Sequence, residues 1–413
     1  MYICLTKLKT KIFCHSLFKK LKNIMPLFQF DFIGMIIFIA LIFLFPRLML
    51  YQILAILNAK VKSYEEMTSK AQNIIIKKID KKTKLSPKEL KKSIARVMEY
   101  FVVEPDSVDP YGIAKKIRYI TKRYDRKLEY FVDNITFDIN KDERKNLSAA
   151  LTHTIGLYQI MKLVRHYIEI VKQTKNFQIG MILQMQLPFI DRQMQGLYQS
   201  VPALTNGIPV GDSIGALYAA KLIGNEKVVS LDEQTVYARK KINGKEVFIV
   251  KADGPGANLG NIDEAIRKIA SKNKIDKIIT IDASGKLEGE KTGSIAEGVG
   301  FAMGPRGAER FFAESFVVEK NIPVDAIAIK MKPEEALMPM PKAVLNSIPK
   351  IDEAVKRSLE NVKKAIVVGV GLTIGVGNNG KEAKKAEEKL KKYYRKIERE
   401  KRKKSRKRIG FLK

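Results

Sequence analysis

Cysteine and histidine are scarce in this sequence, and each scarcity excludes a class of site. The 413 residues include two cysteines, Cys4 and Cys14, so the body of the chain holds neither a disulfide framework nor a cysteine-based metal site. The three histidines are His15, His153 and His166, so the C-terminal half has no histidine of its own as ligand or base. We interpret His153 and His166 as structural or surface residues, and we expect neither a metal nor another cofactor.

The charge of the chain is strongly basic and concentrated at its ends. The formal net charge is +32; residues 1–25 carry six lysines and no acid, and residues 381–413 carry 17 Lys/Arg against five Glu. A basic tail of this kind attracts anionic lipid or nucleic acid. The alternative is a solvated charged helix. Residues 401–408 contain no aromatic side chain, so base stacking is not indicated.

One long apolar run indicates a membrane anchor over residues 26–57. Residues 32–45 contain no polar side chain, and Pro46-Arg47 interrupts the run before it continues. Crossing a bilayer takes about 20 mostly apolar residues, and this segment is long enough. We therefore predict a single-pass membrane protein, with a buried core helix as the alternative.

The orientation of this span depends on the start codon. A start at Met1 places six lysines before the span and predicts a cytoplasmic N-terminus by the positive-inside rule. A start at Met25 removes that flank, and Arg47, Lys60 and Lys62 then favour a cytoplasmic body. We favour Met25, assign residues 1–25 as a basic N-terminal extension, and expect location at the cell membrane.

Residues 58–200 have the periodicity of a helical domain. Ser86-Pro87 followed by Glu89 predicts a helix start with a capping box. Residues 147–172 form a long amphipathic segment, with apolar side chains at helical spacing. We find no catalytic motif in this region.

Residues 201–380 change to short β-branched runs between Gly-bearing turns, which predicts an α/β domain. Asn243-Gly244 predicts a two-residue hairpin turn, and residues 277–281 predict a strand that ends at Asp282. The run 365–377 predicts one buried strand. The expected fold class is α/β: a transmembrane helix, a helical middle region and a three-layer domain with a mainly parallel sheet. The basic tail, residues 381–413, follows.

Two acidic turns carry the candidate catalytic residues, Asp212 and Asp282. Each carboxylate lies where an apolar element meets a Gly-bearing loop, and ligands of open α/β sheets bind beyond the carboxyl ends of the strands. The two side chains are expected to converge as an acid/base pair. The alternatives are that Asp212 caps its own helix and that Asp282 bonds its own backbone at a strand end.

A glycine-rich loop between these turns is the candidate ligand-binding segment. Gly254, Gly256 and Gly260 precede a predicted helix, where backbone N–H groups attract anions, but their spacing matches neither a P-loop nor the dinucleotide motif. A tight structural loop is the alternative. Lys286 and Glu288 follow Asp282 closely and are expected to bias the aspartate pair.

These features resemble, in order, those of the germination-protease and hydrogenase-maturation-protease fold group. The matching segments are 209–215, 253–256 with the helix 263–273, 276–283, 286–300, 304–307 and 322–329. The resemblance implies that Asp212 and Asp282 are the catalytic pair of a peptidase. The nickel-binding histidine of the maturation branch has no counterpart in this region.

The family's first strand, which precedes the first aspartate, has its best counterpart near the C-terminus. We predict that Ile366 to Gly371 fills the missing sheet position, and Val367 and Ile279 must then share one sheet. The whole chain also resembles an archaeal membrane protein family with no assigned function.

Two functions therefore stand as hypotheses. The first is a membrane-anchored, aspartate-dependent, peptidase-like hydrolase acting on a peptide or protein. The second is a non-enzymatic, membrane-anchored scaffold or binding protein that uses its helical region and basic tail. Aspartates that open into one cleft favour the hydrolase, whereas an Asp212 that caps its own helix favours the scaffold. The sequence sets neither the oligomeric state nor the substrate.

Overall fold

The computed structural model of the protein describes residues 32–103, 105, 112–304 and 307–410. The predicted basic extension, with Cys4, Cys14 and the alternative start Met25, lies outside the described residues. The chain divides into two compact units. Of the described residues, the first unit contains those up to Lys60 together with His166–Met185, and the second contains Val61–Arg165 and the chain from Gln186 onward.

The first helix, α1, runs from Phe32 to Ile79 and is longer than predicted. It passes through Pro46, so the break in the apolar run at Pro46-Arg47 does not end the helix. Proline removes one backbone hydrogen bond from a helix interior, but the flanking apolar residues continue the helix. In the part of the chain that the structure describes, this is the one helix long and apolar enough to cross a membrane.

The helical region continues with α2 (Pro87–Val97), α3 (Ile113–Ile135), α4 (Lys141–Thr174) and α5 (Phe177–Asn206). A short 3₁₀ turn, Asp80–Lys82, follows α1, and another, Gly211–Ser213, follows α5. The predicted capping box is confirmed: the Ser86 hydroxyl accepts from the Glu89 N–H, and the Glu89 carboxylate accepts from the Ser86 N–H. Helix α5 continues to Asn206, beyond the predicted domain boundary at residue 200.

The C-terminal part forms a seven-stranded mixed sheet with helices on both faces. Its elements, in chain order, are α6 (Ile214–Ile223), β1 (Val228–Ser230), β2 (Thr235–Ile242), β3 (Lys245–Ala252), α7 (Ile262–Lys272), β4 (Lys277–Gly285), β5 (Ile295–Val299), α8 (Gly307–Lys320), β6 (Val324–Met331), α9 (Pro333–Leu337), α10 (Lys342–Leu345), α11 (Ile348–Ser358), β7 (Lys364–Gly369) and α12 (Gly380–Gly410).

The strand order is β1-β2-β3-β7-β4-β6-β5. The four central strands, β3, β7, β4 and β6, are parallel, and the edge strands are antiparallel. The sheet is therefore mixed, where a mainly parallel sheet was expected. Apolar side chains alternate between its faces: Val367 belongs to the core under α6 and α11, and Ile366 to the core under α7 and α8.

Two sheet predictions are confirmed. Asn243 and Gly244 both have positive φ, 49° and 79°, and join β2 to β3 as a hairpin with Ile242 opposite Lys245. Val367 pairs with Ile279, so the C-terminal strand does lie in the same sheet, between β3 and β4.

Two strand boundaries differ from the prediction. Strand β4 continues to Gly285, so Asp282 lies within the strand rather than at its end, because its partner β6 remains paired as far as Met331. Strand β7 ends at Gly369, although residues 365–377 read as one strand. Gly371, at φ = 115°, turns the chain away from the sheet.

Candidate functional site

Asp212 lies in the 3₁₀ turn Gly211–Ser213 that leads into α6. Its side chain does not cap that helix. Instead its Oδ2 accepts a hydrogen bond of 2.8 Å from the backbone N–H of Leu372, just after β7. At Gly371 an added Cβ would lie 1.9 Å from the Asp212 carbonyl oxygen, so only glycine permits this approach.

Asp282 lies in β4 and is 2% exposed. Its two carboxyl oxygens accept separate backbone hydrogen bonds of 2.7 Å each, from Ala283 to Oδ1 and from Gly304 to Oδ2. The bond from Ala283 is the local contact that the turn alternative predicted. The bond from Gly304 comes from a distant loop and holds the carboxyl group in place.

The structure brings Asp212 and Asp282 to one cavity of about 500 Å³, lined mainly by apolar side chains such as Met303, Leu337 and Val370. Burial, and after it the neighbouring charge of Asp212, together raise the pKa of Asp282 to about 8. Burial also raises the pKa of Asp212, against the lowering effect of the Leu372 N–H. At neutral pH the pair therefore retains a proton.

Two further titratable residues line this cavity, and sequence reasoning missed both as site residues. His153 comes from α4 and Glu309 from α8, where its side chain is buried. Burial lowers the pKa of His153 to about 4. The C-terminal domain does have a histidine in its cavity, because the helical region supplies it. Buried Leu151 and Ile155 fit the predicted apolar face of α4, but no sequence pattern pairs that helix with the sheet.

The glycine-rich loop is fixed by hydrogen bonds from its backbone N–H groups to side chains of the protein itself. The Gly254 N–H bonds Asn378, the Gly256 N–H bonds Asp142, and the Gly260 N–H bonds Asn258, at 3.0, 3.1 and 3.1 Å. These three donors are therefore engaged by side chains of the protein. This arrangement favours the structural-loop alternative, although Gly260 also lines the aspartate cavity.

Lys286 and Glu288 lie away from the cavity lining. The Lys286 ammonium donates to the carbonyl of Glu290 at 3.0 Å, and the exposed Glu288 carboxylate pairs with Arg192 at 3.0 Å. Neither contact reaches the aspartate pair. Among the described residues, no group of three or more His, Cys, Asp or Glu side chains is arranged to hold a metal ion.

Two family models match this chain, one after the other. Residues 31–207 match the N-terminal domain of a protein of unknown function, DUF1512, and residues 210–377 match the C-terminal domain of the same family. The chain belongs to the DUF1512 family. The boundary between the two matches falls between α5 and the Asp212 turn, and α12 lies beyond both.

No curated protein matches the chain. Among solved structures, a proteasome-assembly chaperone homologue from Mycobacterium tuberculosis is similar over 39% of this chain and 80% of its own, at 13% identity and a TM-score of 0.23. At that TM-score the likeness supports no conclusion about fold or function. The archaeal origin and the protease-fold resemblance stay predictions, since these matches do not bear on either.

Proposed function

We propose that this DUF1512 protein is a membrane-anchored, aspartate-dependent hydrolase with Asp212 and Asp282 as its acid/base pair. The observation that carries the proposal is their shared cavity, in which burial and mutual charge hold one proton on the pair. The scaffold alternative expects Asp212 to cap its own helix. That side chain bonds Leu372 instead, which favours the hydrolase.

The chemistry needs one protonated and one ionised carboxyl group. The carboxylate takes a proton from water as the water oxygen bonds to the substrate carbonyl carbon. The protonated partner gives its proton to the leaving nitrogen as the carbon–nitrogen bond breaks. Burial raises the pKa of both Asp282 and Asp212, so the proton that the pair retains makes one of the two carboxyl groups the acid and leaves the other as the base. The pair ends the cycle with the single proton it began with, on the other carboxyl group.

The membrane and the basic tail belong to the same proposal. Helix α1 anchors the chain as a single span, with the body in the cytoplasm. The first half of α12 packs through Ala383, Ala386 and Leu390, whereas Lys401 to Lys403 are exposed. This basic end is suited to anionic lipid headgroups at the cytoplasmic surface.

The test is hydrolysis of a panel of internally quenched peptides by the full chain in detergent micelles. Asp212→Asn and Asp282→Asn should each lower the rate by about 10²–10⁴-fold, the usual contribution of an acid or base. The control is Glu319→Gln, which makes the same chemical change at an exposed site. The proposal fails if the single aspartate variants cleave the peptides as fast as the wild type does. It also fails if the wild type cleaves no faster than the double variant Asp212→Asn, Asp282→Asn.

A further inference from the structure

His153 lies at the boundary of two neighbouring cavities. The larger is the apolar cavity of the aspartate pair, and the smaller, of about 190 Å³, has polar lining residues that include Lys145, Gln234 and Asn258. His153, Leu259 and Leu372 line both. A ligand that extends from one cavity into the other would therefore lie beside these three residues, of which His153 is the polar one.

The hydrogen bonds around Ser200 identify the tautomer of His153. The Ser200 hydroxyl donates to the carbonyl oxygen of Leu197 at 2.6 Å, and a carbonyl can only accept. The single hydroxyl proton of Ser200 is thereby engaged. The contact of 2.5 Å between Ser200 Oγ and His153 Nδ1 then requires the proton to be on Nδ1. In the neutral ring Nε2 is consequently an acceptor.

Nε2 has a vacant acceptor position. Within the described residues, no hydrogen bond to this nitrogen is present. Seven charged or titratable groups face the two cavities, counting the imidazole itself: Asp212, Asp282 and Glu309 in the larger, Asp125, Glu129 and Lys145 in the smaller, and His153 between them. Ionised carboxylates favour imidazolium, but burial dominates and lowers the pKa of His153 to about 4.

We propose that His153 Nε2 accepts a hydrogen bond from the substrate, whose apolar part fills the larger cavity and whose polar chain continues into the smaller one. This names the substrate class of the proposed hydrolase, on which it rests: an extended, amide-bearing chain with a bulky apolar side group. An amide N–H supplies the donor that Nε2 lacks, and the adjacent carbonyl is the group that the aspartates would hydrolyse. His153 is thus a substrate-positioning residue contributed by the helical region.

The test is ¹⁵N NMR of the full chain, labelled at histidine, in detergent micelles. The chain has three histidines, so the spectrum of His153→Asn identifies the His153 signals. We expect a neutral ring protonated at Nδ1, with no titration until well below pH 6. The variant Ser200→Ala removes the acceptor for Nδ1 and should move the population toward the Nε2–H tautomer.

Two probes of matched shape test ligand binding. 4-Methylpentanamide has an apolar chain and a donating N–H, and methyl 4-methylpentanoate has the same chain without a donor. The amide should shift the His153 Nε2 signal toward that of a hydrogen-bonded nitrogen, and the ester should not. An Nε2–H ring in the wild type, or equal shifts with both probes, would overturn the proposal. If these signals behave as expected while peptides are not cleaved, the hydrolase proposal fails and the ligand site stands.

Discussion

Replacing Asp282 by asparagine should reverse the order of stability between variant and wild type as pH rises. The pKa of Asp282 is raised from 3.8 to about 8 in the folded protein, so the folded state holds this proton more tightly than the unfolded chain does. The resulting stabilisation is complete below the unfolded pKa and is lost as pH rises toward 8. Asparagine does not titrate, so the variant has no such stabilisation to lose as pH rises.

The magnitude follows from the pKa difference. At about 1.36 kcal/mol per pKa unit, the wild type loses roughly 5 kcal/mol relative to the variant between about pH 4 and pH 9. Against this stands a cost that is independent of pH. Both Asp282 oxygens accept backbone N–H groups, whereas asparagine has one acceptor oxygen, so one N–H is left facing an amide NH₂ at about 1–3 kcal/mol. The variant should be less stable in acid and more stable in base.

The assay is urea unfolding of the full chain in detergent micelles, followed by far-UV circular dichroism across this pH range. Asp276→Asn is the matched control, because backbone N–H groups of Lys364 and Lys363 lower the pKa of Asp276. That carboxyl group stays ionised above about pH 5 in both states, so the difference between control and wild type should be constant there. Parallel stability curves for the wild type and the Asp282 variant would refute the reasoning.

Three further predictions concern other parts of the chain. Burial lowers the pKa of Lys251 to about 7. The stability of the wild type should therefore rise relative to that of Lys251→Met by roughly 4–5 kcal/mol between about pH 6 and pH 11, because the unfolded chain holds the extra proton over most of this range. Urea unfolding measures this, and a constant difference would contradict it. An added Cβ at Gly254 would lie 2.0 Å from the Val376 carbonyl oxygen, whereas one at Gly285 would meet nothing within 4 Å. In the same assay, Gly254→Ala should therefore lower the free energy of unfolding by about 1–3 kcal/mol or more, and Gly285→Ala by under about 0.5 kcal/mol. Ile42, half-exposed on α1, should tolerate lysine poorly in a bilayer, at about 2.5–3.5 kcal/mol; Ile42→Lys should reduce the fraction of protein that resists alkaline extraction from membranes, and an unchanged fraction would argue against the span.

Local signals in the sequence predicted the local structure well. The capping box at Ser86 and the hairpin at Asn243-Gly244 depend on hydrogen bonds and dihedral angles within a few residues, and both are present. The placement of Val367 in one sheet with Ile279 was predicted from the family resemblance, in which a strand was missing before the first aspartate. Strand ends were predicted less well, because the pairing partner decides them: β4 continues past Asp282 since β6 does.

The candidate site was predicted only in part. Asp212 and Asp282 were named from their turns, and they do share a cavity. His153 was interpreted as a structural or surface residue and not as part of the site, because its place there depends on how α4 packs against residues more than 100 positions later in the chain. Gly254 and Gly256 were predicted to donate backbone N–H groups to a ligand, because a glycine-rich loop that precedes a helix is typical of an anion-binding site. Their acceptors, Asn378 and Asp142, are 124 and 114 residues away in sequence.

The central position of β7 has a consequence for biosynthesis. A ribosome releases the long apolar helix α1 well before residues 364–369 are synthesised. Until then β3 and β4 have no strand between them, and Asp212 lacks the Leu372 amide that orients it. Nascent chains that have not reached residue 364 therefore lack both the central strand of the sheet and the amide that orients Asp212.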